Sequence, residues 1–223
     1  MYRRLLYIIP LFALATVGCF LLAACSGCSG GKKKPHSGAV ESPINPMVQE
    51  LDETPDEAYL ATLYNYDRDS IYVTVRKTKR KAAFAYGEAL SNGMLHGTIR
   101  KGDTYSILPD GKRKTVSIAV NTTELSGRWF YDLQQNRGVS FNEGGGMSSI
   151  NAEEICFREW KLLNGRMYIY YVDMQQLASD RHQYLVEEAY ITSLNAKELI
   201  IQFRGERMRC VRPAKKPLQY KGT

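Results

Sequence analysis

The chain has 223 residues, 44% hydrophobic and 24% charged, with a formal net charge of +7. Gly and Pro stay near ordinary levels, which excludes collagen-like and low-complexity chains and leaves room for one large domain or two small ones. The mild basic excess does not point to a nucleic-acid partner, and 15 Tyr, 7 Phe and 2 Trp favour strands.

Residues 1–24 open with Arg3 and Arg4 and continue as an apolar run from 5 to 24. That order is a secretory signal. Twenty apolar residues also suit a bilayer span, but Pro10 interrupts the run and lysines at 32–34 put basic charge on both flanks. Leu22-Ala23-Ala24-Cys25 resembles the lipobox of bacterial lipoproteins. The resemblance implies that the Cys25 thiol is acylated and that cleavage makes Cys25 the first residue, a membrane anchor through lipid. Cys25 and Cys28 also form a C-x-x-C pair, yet no second Cys pair or His cluster completes a zinc site. In the lipoproteins it resembles, acids soon after the acylated Cys accompany surface export. Residues 26–34 contain none, so the expectation is a lipid-anchored envelope protein facing the periplasm.

Residues 25–58 are rich in Ser, Gly, Pro and charge and read as a flexible tether. A small β domain is expected over 59–122, a barrel or sandwich. Its strands fall at 59–66, 70–76, 81–86, 94–100, 103–109 and 113–120, divided by turn signals such as Asn92-Gly93 and Asp110-Gly111. This module carries 11 basic and 5 acidic residues. The run Arg76-Lys77-Thr78-Lys79-Arg80-Lys81 sits where two strands turn. It could suit an anionic glycan or lipid phosphate, but a charged hairpin tip that blocks edge pairing is the ordinary explanation.

Residues 123–213 give eight further short strands, followed by a tail over 214–223. Eight consecutive strands joined by tight turns, Asn164-Gly165 among them, are what an up-and-down antiparallel barrel requires. The apolar register changes between Phe157 and Trp160, which predicts a bulge near Arg158-Glu159. The fold class is all-β.

The stretch LSGRW (125–129) resembles the G-x-W motif of lipocalins. GGGMSSIN with FREWKLLNGRMYIYY and EEAYITSLNAKELIIQF resembles lipocalin-like envelope lipoproteins of gut Gram-negative anaerobes, and GTIRKGDTYSIL upstream resembles a module that precedes that barrel. The resemblance implies an eight-stranded barrel whose closed end holds Gly127 and Trp129, with Arg209 or Arg212 packed across the indole. Tyr131, Phe157, Trp160, Tyr168, Tyr170 and Tyr190 are the candidates to line a cavity for a small hydrophobic or glycan-like ligand. The other reading is a barrel filled by its own side chains in a protein that engages a protein partner. About 90 residues is short for a roomy cavity, and the two readings stay open.

Cys156 and Cys210 fall on strands four and eight of the meander, which are not neighbours, so free thiols are expected over a disulfide. No nucleophile elbow, zinc-protease or phosphate-loop motif occurs, and His36, His96 and His182 are scattered. No catalytic residue, metal, cofactor or nucleic-acid partner is expected.

Overall fold

Short strands separated by turn residues dominate the chain. The computed structural model describes residue 51 and residues 55–111, 114–175 and 184–213. The expected signal over 1–24, Cys25, most of the tether and the tail over 214–223 lie outside the described residues.

The first barrel comprises β1 (Tyr59–Tyr66), β2 (Ser70–Val75), β3 (Lys81–Ala85), α1 (Gly87–Ser91), β4 (Leu95–His96), β5 (Thr104–Asp110) and β6 (Thr115–Asn121). Period-two alternation points Ala61, Leu63, Ile71, Val73 and Ile107 inward, all buried. The strands run β3-β2-β1-β5-β6, and β3 closes on β6 in parallel at the single pair Ala85↔Thr115. The expected strand over 94–100 shrinks to Leu95–His96. Gly97 ends it: its φ is +99°, and a Cβ there would lie 2.5 Å from the Cβ of Asn121. The loop that follows bonds to buried Asn121. The Asn121 amide donates to the Thr98 carbonyl, Asp103 Oδ2 and the Tyr105 hydroxyl at 3.0, 2.8 and 3.1 Å. Asn121 Oδ1 accepts from Glu124 N, capping α2 (Thr122–Leu125).

The second barrel comprises β7 (Gly127–Asp132), β8 (Arg137–Phe141), β9 (Met147–Ile150), β10 (Ile155–Leu163), β11 (Arg166–Asp173), β12 (Leu185–Leu194), β13 (Glu198–Phe203) and β14 (Glu206–Val211). Each strand pairs antiparallel with its neighbour, in the order β10-β11-β12-β13-β14-β7-β8-β9. The β9–β10 seam is nearly closed. A bridge joins Gly146 to Glu159, and the Ser149 hydroxyl donates to the Ile155 carbonyl and accepts from Phe157 N. The β10–β11 register shifts between Phe157 and Glu159, the bulge expected from sequence. Asn164 and Gly165 take φ of 50° and 77°, the left-handed pair a two-residue hairpin needs.

The two barrels share β6. Ala119 is buried in the first core, while Val120 is buried in the second and Ile118 packs against it. A Cβ on Gly165 would lie 2.9 Å from Ile118, so the β10–β11 turn sits directly on that strand. The end of the stretch expected as tether is also bound here. The Asn164 side-chain oxygen accepts from Glu57 N at 2.8 Å and its amide donates to the Pro55 carbonyl at 3.1 Å. Leu51 is buried against Leu163, Tyr168 and Val186 on the outer face of the second barrel.

Candidate functional site

The interior of the eight-stranded barrel is where a carrier would enclose a ligand. Trp129, Val139, Ile169, Tyr171, Leu199, Ile201 and Cys210 are all 0% exposed. A void able to hold water or a ligand leaves its walls some accessible surface, and these side chains have none. Phe157, Tyr171 and Phe203 meet ring to ring, with centroids 5.4–6.4 Å apart. The barrel is filled through its middle. At one end the Tyr171 hydroxyl donates to Glu187, Arg204 lies over the Tyr171 ring at 5.7 Å, and Arg204 pairs with Asp173 at 3.3 Å. Burial, reinforced by Glu187, pushes the Tyr171 hydroxyl well above the usual phenol range.

The six aromatics expected to line one cavity fall into separate environments. Phe157 and Trp160 face the core, Trp160 edge-on to Phe141 with its indole N–H donating to the Asn142 carbonyl. Tyr131 packs at the core margin under Arg137, whose guanidinium is 5.8 Å from the ring. Tyr168 and Tyr170 point outward, to the cluster that holds Leu51. Tyr190 is 52% exposed. Alternation along β11 and β12 accounts for the split, since Met167, Ile169 and Tyr171 take the inward positions between them.

Of the two closure candidates, Arg212 crosses the Trp129 indole, 4.1 Å from its centroid. Its Nη2 donates to the carbonyls of Glu124 and Ser126, and Trp129 Nε1 donates to the Leu125 carbonyl at 2.7 Å. Arg209 instead pairs with Glu198 on the surface. Gly127, at φ +115°, turns the chain beneath Arg212. Cys156 and Cys210 are free thiols, and burial raises Cys210 to about 12. Among the described residues no group of three or more His, Cys, Asp or Glu converges to hold a metal ion.

The first barrel carries an open cleft of about 1220 Å³. Its apolar wall includes Tyr59, Leu60, Val75 and Phe84, with Tyr59 stacked on Phe84 at 6.1 Å. Its rim carries Arg76, Lys77, Lys79, Arg80, Lys81 and Lys114, against the acids Asp56 and Asp110. The cleft exists because β3 meets β6 only at its last residue; ahead of Ala85 the two sides diverge. The hairpin is fixed at its base by Val75 N donating to the Arg80 carbonyl and Lys79 N donating to the Val75 carbonyl.

Comparison with known proteins agrees with the second barrel. Residues 121–210 match the lipocalin-like family. The C-terminal barrel has a lipocalin-like fold. A lipocalin-like protein from Bacteroides thetaiotaomicron VPI-5482 is 19% identical over 40% of this chain and 97% of its own, with a TM-score of 0.34. No curated protein matches the chain.

The basic cleft lies outside the residues that match the lipocalin-like family, so its chemistry belongs to the first barrel alone. Sequence reasoning located its cations in the hairpin at 76–81 but not the cleft itself. The signal that was missing is the parallel β3–β6 contact, a pairing between segments some thirty residues apart. Local patterning does not encode such a contact.

Proposed function

We propose that this chain is a non-enzymatic envelope lipoprotein, acylated at Cys25 and facing the periplasm, that works by engaging a protein partner at its outer surface. The observation that carries the interaction reading is the filled barrel: seven central side chains, Trp129 and Tyr171 among them, have no accessible surface. A lipocalin-like fold commonly encloses small hydrophobic ligands, but here the chain's own aromatic rings pack against one another in the barrel interior. The lipobox-like Leu22-Ala23-Ala24-Cys25 supports the anchor.

Two measurements test this reading. Metabolic labelling with palmitate is expected to mark the wild-type chain and to leave Cys25→Ser unlabelled. Native mass spectrometry of the protein from its own host is expected to give the bare mass of the acylated chain. A reproducible small-molecule adduct displaced by a fatty-acid probe would replace the interaction reading with a carrier.

A further inference from the structure

We infer that the basic cleft of the first barrel receives an extended acidic segment of a partner polypeptide, which adds as a strand along β3. This rests on the interaction reading and names the chemistry of the partner. The argument starts from hydrogen bonding. Ala85 N donates to the Lys114 carbonyl across the β3–β6 contact. Backbone groups alternate sides along a strand, so Lys81 and Ala83 present their N–H and C=O groups in the same direction, into the cleft. Arg80 supports the phase, because its carbonyl accepts from Val75 N on the β2 side. Among the described residues no strand pairs with β3 from Lys81 to Phe84 on the cleft side. A sheet edge of this kind is a template for one more strand.

Charge selects the occupant. Residues 59–122 carry 11 basic and 5 acidic residues, whereas residues 123–213 carry 11 and 12, so of the two barrels only the first carries a positive excess. The ion pairs among the described residues join Arg137, Arg166, Arg204 and Arg209 to carboxylates of the second barrel; none takes a cation of the cleft. The stacked Tyr59 and Phe84 add an apolar wall for alternate side chains of the incoming strand. A protective tip is a weaker account, because lysines that merely guard an edge do not require a concavity of about 1220 Å³ beside it.

The test uses the chain from residue 25 onward carrying Cys25→Ser, and a labelled synthetic peptide of alternating Glu and Val, about eight residues long. Expected are saturable, salt-sensitive binding and slowed hydrogen exchange at the Lys81 and Ala83 amides. Ala83→Pro removes an N–H that faces the cleft and not β2, so it leaves the melting temperature near wild type and abolishes binding. Lys77→Glu with Arg80→Glu, both exposed turn positions, weakens binding at least about tenfold. Absence of peptide binding overturns the proposal, as does binding indifferent to Ala83→Pro. Equal or tighter association with vesicles of about 30% phosphatidylglycerol, without protection at Ala83, also overturns it and assigns the cations to a lipid surface. A bare native mass with no peptide binding fails this proposal alone, whereas a barrel adduct fails the interaction reading.

Discussion

The Arg212 guanidinium lies 4.1 Å from the centre of the Trp129 indole and donates to the carbonyls of Glu124 and Ser126. One side chain thereby ties the last strand of the second barrel to its first strand and to the short helix that leads into it. Arg212→Ala removes a cation–π contact and leaves two carbonyls without their donor, a loss of about 2–4 kcal/mol. Arg212→Lys restores charge but not the planar fork and recovers less than half of that. Urea unfolding of the two variants checks the order. Equal stability of Arg212→Ala and wild type would refute it.

The filled interior predicts a specific gain of function on truncation. Phe203→Ala is expected to cost about 3–5 kcal/mol and to open an apolar void beside Phe157 and Tyr171. An environment-sensitive fatty-acid probe then binds the variant and not the wild type. Probe binding to the wild type at similar affinity would contradict a packed middle.

Asn164 holds the segment before β1 through Pro55, Asp56 and Glu57. Asn164→Gly keeps the left-handed turn conformation and removes the side-chain bonds. Limited proteolysis near residues 50–58 is expected to accelerate several-fold, with the melting temperature changed by only a few degrees. Unchanged cleavage would show that the Asn164 side chain is not what secures the segment, leaving Leu51 and the backbone bond to Asp56.

Alkaline pH separates the buried tyrosines from the exposed ones. Burial raises the Tyr105 hydroxyl to about 12, from an ordinary value of 10.0. Above pH 10 the unfolded chain releases this proton while the folded chain keeps it, so stability falls as pH rises towards 12. The slope from this group is about 1.4 kcal/mol per pH unit. Tyr171, also raised, steepens the fall. Denaturant unfolding at pH 9 and pH 11 measures the decline, and Tyr105→Phe is expected to flatten it. A Tyr105→Phe slope equal to wild type would remove the attribution.

Much of the second barrel was legible because its determinants are local. Asn164-Gly165 marks its hairpin, and the apolar shift between Phe157 and Trp160 reveals the bulge. The segment 94–100 misled because its alternation suggests a full strand. Its true course is set by Gly97 packing on Asn121 and Glu124, more than twenty residues away. The aromatics misled for a related reason: the sequence marks Tyr168, Tyr170 and Tyr171 as similar, and only the position in the sheet separates outward from inward. Arg212 and Arg209 were indistinguishable until the register of β14 against β13 placed Arg209 opposite Ile200 with Glu198 in reach.

Strand β6 gives Ala119 to one interior and Val120, its neighbour in the chain, to the other. The stretch recognisable by family begins at residue 121, one position after that shared strand contributes Val120. A fragment cut where the resemblance starts would lose Ile118 and Val120 and bare the apolar end they cover. The limits of the family match and the limits of shared packing therefore fall at different places in this molecule, and any dissection of it must respect the second.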